Sequence, residues 1–330
     1  MKKEKTAIDA VITWVDGREE NHKKERKKAL KKTDLEAEKE IVTGHDKTRF
    51  YDNGEIKYCI YSIRKYAPWI RKIFLVTDNQ RPSFLTPELA EDLNVELVDH
   101  KIIFRGYESV LPTFNTRTIE CGLWRIPGLS PYFIYFNDDF VLSKKVKRKH
   151  FFRKDSVVLR GEWNKIAKYG DVKMMLTNWV NILAKNLFGI TRSMHLLLQM
   201  KSAKLAGLNK QYYRTPHVPH PIRKETLATF FKKYPDLLEK NIKYKFRSTE
   251  QFSAIFLAHH LEIKNSNAIL RDASDYVMIN GELDFTLTLS KKLKLIKDGS
   301  IRFLCIQGFE KLKNHHQREI EEMLQEKLGI

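Results

Sequence analysis

Two carboxylates stand side by side at Asp138-Asp139, directly after the apolar run Phe133-Ile-Tyr-Phe and Asn137, and apolar residues resume at once with Phe140-Val-Leu. Adjacent carboxylates repel each other unless a cation or a hydrogen-bond network compensates. Mg2+ or Mn2+ held by Asp138 and Asp139 would do so, because hard cations take oxygen ligands and keep positions open for phosphate oxygens. An Asp-rich turn after a strand is the plain alternative for the same residues. A second grouping is Thr215-Pro-His217-Val-Pro-His220-Pro221, whose prolines hold the backbone extended and present two imidazoles in fixed geometry. Such a pair is often structural, and no neighbouring Cys or Glu set supports zinc. The third is Phe246-Arg-Ser-Thr-Glu250: Ser248 reads as a helix N-cap with Gln251 completing a capping box, which sets Arg247 just before a helix N-terminus, a natural place for an anion.

Elements that would position these groups are legible upstream. Ile8 to Val15, Arg71 to Thr77, Val95 to Asp99 and Phe133 to Asp139 read as strands, each ending in polar residues. Helical patterns lie between them: Ile56, Ile60, Ile63 and Tyr66 on one face, a short helix near Glu88 to Leu93, and one capped by Thr113 or Asn115. This alternation is the signature of an α/β fold with a mostly parallel, Rossmann-like sheet, in which ligands bind outside the carboxyl ends of the strands. Residues 18–48 are strongly charged and read as a solvated helix or loop without chemistry. Beyond residue 150 the regularity fails, and 171–210 reads as helical, so the expected organisation is a catalytic α/β domain (1–150 and 213–330) with a mainly helical insert over 151–212. Further on, helices are expected over 224–234, 248–260 and 314–328, and strands over 283–289 and 301–306.

Composition narrows the partners. The chain has 330 residues, 42% hydrophobic and 31% charged, with a formal net charge of +19. That bias favours anionic partners such as phosphorylated substrates or an acidic membrane face. No helix-turn-helix, zinc-finger or RNA-binding signature accompanies it, so nucleic acid is not expected. Cys59, Cys121 and Cys305 form no disulfide or zinc pattern, and with no leader and no ~20-residue apolar span the expected location is cytoplasmic. A peripheral contact at the inner membrane face and a homo-oligomer contact through the insert are compatible with the same features.

Ile8-Asp-Ala-Val-Ile-Thr-Trp-Val-Asp-Gly17 resembles the first block of the Stealth proteins, hexose-1-phosphate transferases of bacterial capsule synthesis related to the vertebrate GlcNAc-1-phosphotransferase. Asn53 to Gln80, Phe104-Arg105, Leu111 to Asn115, Ile126 to Ser130 and Phe133 to Asp139 resemble the second block. Pro216 to Pro221 resembles the third, and Phe246 to Glu250 its Arg-containing sequel. The resemblance implies a glycosyltransferase-A-like nucleotide-sugar fold and transfer of a hexose-1-phosphate, or an N-acetylhexosamine-1-phosphate, from a UDP-sugar to an oligosaccharide or polysaccharide hydroxyl, releasing UMP. It implies His220, rather than His217, as the base, with Arg247 and Asp139 as its catalytic companions. The nucleotide-sugar would be held by Trp14, Asp16, Gly17, Arg64, Asn79, Asn115 and His217. One departure stands out: the family's closing block carries an Asn-Asp pair where this chain has Cys305-Ile-Gln307-Gly308-Phe309. The rival readings are an ordinary nucleotide-sugar glycosyltransferase and, more remotely, a nucleic-acid-binding protein.

Overall fold

The computed structural model describes residues 6–33, 52–166 and 193–330. The first part runs β1 (Ile8–Thr13), α1 (Glu20–Thr33), α2 (Glu55–Tyr66), β2 (Ile73–Thr77), α3 (Pro87–Asp92), β3 (Val95–Asp99), α4 (His100–Ile103), α5 (Thr116–Gly122), β4 (Tyr132–Asn137) and β5 (Phe140–Leu142). Three short strands follow: β6 (Phe152–Arg153), β7 (Ser156–Arg160) and β8 (Glu162–Lys165). The remainder comprises α6 (Ser193–Leu205), β9 (Gln211–Arg214), β10 (His220–Arg223), α7 (Lys224–Lys233), α8 (Pro235–Ile242), α9 (Ala254–Lys264), β11 (Ala268–Arg271), β12 (Tyr276–Asn280), α10 (Thr286–Lys297), β13 (Phe303–Gln307) and α11 (Asn314–Leu328).

The central sheet has the order β10-β4-β1-β2-β3. Strands β1 to β4 are mutually parallel, and β10 joins antiparallel along the β4 edge. The parallel part therefore has the 3-2-1-4 order of a doubly wound nucleotide-binding sheet. Strand period 2 sends successive side chains to opposite faces, and both faces are covered. Ala10, Ile12, Ile73, Leu75, Ile134 and Phe136 meet the α2 stripe Ile56, Cys59, Ile60 and Ile63. Val11, Phe74, Val76, Phe133 and Tyr135 meet Ile119 of α5, Leu227 of α7 and Leu257 of α9. Helix α2 stops where Pro68 biases Ala67 out of the helical region.

A second sheet, β12-β13-β5, begins where the first ends, because β5 leaves the Asp138-Asp139 turn and pairs antiparallel with β13. Helix α10 covers it with Leu289, Leu293 and Ile296. This corrects the expectation of a strand over 283–289: the apolar residues of this stretch recur at helical, not alternating, spacing once Leu293 and Ile296 are counted. The expected insert is corrected in part as well. Phe151, Phe152, Val157 and Leu159 are core residues packed with Ile12 and Phe303, and β7 pairs in parallel with β11. Residues 151–160 thus belong to the α/β body. Helix α6 is helical as expected, and residues 167–192 lie outside the described residues. Among the described residues, no helix is long and apolar enough to cross a membrane.

Asp9 ties the amino ends of three strands together. Its side chain is fully buried and accepts from Arg71 Nε at 2.9 Å, Arg71 Nη2 at 2.6 Å and Ser130 N at 2.7 Å. Asp9→Ala leaves the guanidinium and an amide without their acceptor, and we expect a loss of roughly 2 kcal/mol, read as a lower urea midpoint at unchanged slope. An unchanged midpoint would show that this clamp contributes nothing to the sheet.

Candidate active site

Asp138 and Asp139 form the two-residue turn between β4 and β5, so the backbone passes from one sheet to the other under both carboxylates. The Asp139 carbonyl accepts from Ile306 N at 3.0 Å, and Cys305 Sγ donates to Asp139 Oδ2 at 3.5 Å. Asp139 Oδ1 is buried without a hydrogen-bond partner. Burial disfavours the ionised form and pushes the Asp139 carboxyl up to about 7. Asp138 is pushed well above the carboxylate range by burial and then by Asp139, Glu55 and Asp52. An orphaned acceptor beside a raised-pKa acidic pair fits a divalent cation. Among the described residues no group of three or more His, Cys, Asp or Glu side chains is placed to hold a metal. Asp138 and Asp139 would therefore hold an ion whose remaining positions are filled by water and phosphate, the usual habit of Mg2+.

Gln307 stands at the end of β13. Its amide lies 3.4 Å from His217 Nδ1 and close enough to the Asp139 carboxylate to favour its ionised form. The backbone beyond it is fixed by a close approach: a Cβ on Gly281 would lie 1.9 Å from the Gly308 carbonyl oxygen. His217 stacks on His195 at 4.3 Å between centroids, 21° from parallel. His220 stands one strand away, its Cα in register with Tyr135 of β4 and its ring among Phe140, Phe256 and His259. Its Nδ1 is buried without a hydrogen-bond partner. Burial lowers all four imidazoles, His217 to about 4 and His259 to about 3, with His195 and His220 also well below the usual range. They are neutral at pH 7, and the same burial makes each a weaker base than a free imidazole.

A cleft of about 680 Å³ opens beyond the carboxyl ends of β1 and β2. Trp14, Asp16 and Asn79 line it, with Gly17 in the turn that follows β1. Gln80 fixes the shape of that turn: its amide accepts from Asp16 N and donates to Asp16 O, both at 2.9 Å. Asp52 links cleft and carboxylate pair, since it lines the former and is felt by Asp138. Phe246 stacks on Phe114 at 5.4 Å beside Val15, and the neighbouring Arg247 reaches Thr116 Oγ1 through Nη2 at 3.4 Å.

Three expectations are corrected. Arg64 points to the other end of the sheet, where its guanidinium donates to the carbonyls of Leu93, Ile70 and Asn94, the residues that precede β3 and β2. Asn115 caps α5 but is fully buried. Its amide group donates to Tyr244 O, Phe246 O and Gln251 Oε1 and its oxygen accepts from Arg117 N, so it shapes the Arg247 loop and faces no ligand. The helix expected from Ser248 starts at Ala254 with Ser253 as its cap. Gln251 does accept from Ser248 N at 3.1 Å, but it is also held by Asn115 and Asn241, and those contacts keep 248–252 as a turn. Arg247 accordingly lies on a loop and not at a helix N-terminus.

Sequence reasoning passed over four further residues. Arg18 lines the cleft directly after the Asp16-Gly17 turn, a position that could have flagged it. Glu120 interrupts the apolar face of α5, accepts from Ser253 Oγ at 2.8 Å and is pushed by burial up to about 7. Gln307 was visible only as a departure. Nothing local in the sequence marks His195.

Two regions of this chain match models of one family: residues 6–34 match "Stealth protein CR1, conserved region 1" and residues 49–159 match "Stealth protein CR2, conserved region 2". Over these two regions the chain is similar to the Stealth proteins. The second match runs past the carboxylate turn to β7, in keeping with the place of 151–159 in the core. Among relatives, the capsular polysaccharide phosphotransferase fcs1 of Haemophilus influenzae is 29% identical over 93% of this chain and 80% of its own length. The capsular polysaccharide phosphotransferase cps1A of Actinobacillus pleuropneumoniae is 39% identical over 47% of this chain and 40% of its own. Mouse xyloside xylosyltransferase 1 superposes with a TM-score of 0.40 and 10% identity over 91% of this chain and 97% of that one, a likeness too loose to add to the Stealth assignment.

The raised Asp139 carboxyl has a stability consequence. The folded state binds its proton more tightly than the unfolded chain, so its contribution is full below the ordinary carboxylate range and is lost as pH rises through about 7. The buried histidines act in the opposite sense below about pH 6.5, so the carboxyl is isolated by comparing wild type with Asp139→Asn. In EDTA the variant should gain about 2 kcal/mol on wild type between pH 5 and pH 8, read by urea denaturation. A constant difference would mean that Asp139 is not held protonated.

Proposed function

We propose that this protein transfers a hexose-1-phosphate from a UDP-sugar to a hydroxyl of an oligosaccharide or polysaccharide, forming a phosphodiester and releasing UMP. The coarser part of this reading, an enzyme of sugar phosphate transfer in polysaccharide synthesis, is supported by the two Stealth matches and by the phosphotransferase relatives. The finer part is carried by one observation: a carboxylate pair with raised pKa and a histidine with lowered pKa flank the same turn at the carboxyl end of β4. Titratable groups pushed apart in this way mark acid-base and charge-stabilising roles.

Phosphoryl transfer asks mainly for alignment and neutralisation of charge. A divalent cation held by Asp138 and Asp139 would neutralise diphosphate oxygens. The cleft at Trp14, Asp16 and Asn79 receives the nucleotide, Arg18 on its lining meets the phosphates, and Arg247 is the second cation assigned to them. His220, neutral at working pH, takes the acceptor proton while the acceptor oxygen bonds to the β-phosphorus. The bond from that phosphorus to the UMP oxygen breaks, and UMP leaves with the electron pair. Gln307 and His217 hold the carboxylate and the imidazoles in one arrangement.

Loss of His220 as His220→Ala should lower turnover by ~10²–10⁴ with little change in donor affinity, the usual worth of a positioned base. His217→Ala should cost less. Chromatography of the released nucleotide together with phosphorus NMR of the product provides the check. UDP and a phosphate-free glycoside, or near-normal turnover of His220→Ala, would reject the reading in favour of an ordinary glycosyltransferase or another base.

A further inference from the structure

Helix α10 closes the second sheet with one face and shows an unusual composition on the other. Leu289, Leu293 and Ile296 are buried, whereas Leu287, Lys291, Lys294 and Leu295 follow one another along the outer face. Leu287 is 80% exposed, and Phe285, which caps the helix, is 83% exposed. Two large apolar side chains standing almost wholly in water on neighbouring positions are uncommon on a soluble surface and mark an interaction site. The helix carries four lysines and no acidic residue: Lys292 is paired with Asp284 and Lys297 with Glu319, while Lys291 and Lys294 border the apolar side chains.

We propose that this face of α10 docks the protein on an anionic lipid surface, with Phe285 and Leu287 entering the acyl boundary and Lys291 and Lys294 meeting headgroup phosphates. Charge complementarity selects this occupant. Lysine stems lie along apolar surface while their ammonium groups stay at the headgroup level, so leucine and lysine can share one interfacial face. A second copy is disfavoured, because a two-fold contact of the face with itself would bring Lys291 and Lys294 against their own counterparts. The inference stands apart from the proposed chemistry, since docking needs neither donor nor acceptor.

Sedimentation of the full chain with vesicles of phosphatidylcholine alone, or of phosphatidylcholine with phosphatidylglycerol, tests it. Binding is expected to the anionic vesicles only, and to weaken as salt shortens the range of the charge attraction. Phe285→Ser with Leu287→Ser, and separately Lys291→Glu with Lys294→Glu, should each reduce the bound fraction about tenfold. Both pairs are on the surface, so thermal unfolding should remain as in wild type. Phe285→Trp gives a second reading: its fluorescence should shift to the blue with anionic vesicles and not with neutral ones. No binding by wild type, binding indifferent to both double variants, or a concentration-dependent dimer abolished by Phe285→Ser with Leu287→Ser would each overturn the proposal, the last in favour of self-association.

Discussion

Two like charges held in a partly buried turn constrain most of what surrounds them. Asp138 and Asp139 cannot both ionise in that place without compensation, and the fold offers little: a thiol on one oxygen, an amide nearby, and acidic neighbours in Asp52 and Glu55 that make matters worse. The turn is nonetheless held firmly, since β4 is central in one sheet, β5 is paired in the next, and the Asp139 carbonyl is tied to Ile306. A site that keeps an unfavourable charge pair in a rigid frame stores a demand for a cationic or proton partner, and a divalent cation would meet that demand.

Around the turn, fixed carbonyls and amides set the geometry. Arg64 and Asp9 secure the amino ends of the strands, and Asn115, Gln251 and Asn241 spend their polar atoms on the loop that carries Arg247. These side chains act on ligands only through the backbone they hold. Gln307 is the reverse case, a side chain that bridges Asp139 and His217 directly. Its neutral amide brings no further negative charge to an already acidic site.

Much of this was legible in the sequence. The apolar periodicity of β1, β2, β4 and α2 follows directly from burial on both sides of a parallel sheet, and Asp138-Asp139 stands out because it interrupts such a run. Trp14, Asp16 and Asn79 follow strands in the chain and lie at strand ends in space. Arg64 misled because sequence gives its helix but not which end of the helix meets the cleft. Asn115 caps α5 as read, but its amide group is also claimed by Tyr244 and Phe246, more than a hundred positions away, and the Ser248 cap fails because its partner Gln251 is held by Asn115 and Asn241. His195 was invisible because its stacking partner His217 is brought to it only by the tertiary fold.

The central claim is that the bond broken joins phosphorus to the nucleotide side, and isotope tracing tests it most directly. A UDP-sugar carrying 18O between the anomeric carbon and the β-phosphorus is turned over with acceptor, and both products are weighed by mass spectrometry. The account requires the label to stay with the sugar, inside the new phosphodiester, and the UMP to be unlabelled. Label recovered in released UDP would mean cleavage at the anomeric carbon, and would contradict it.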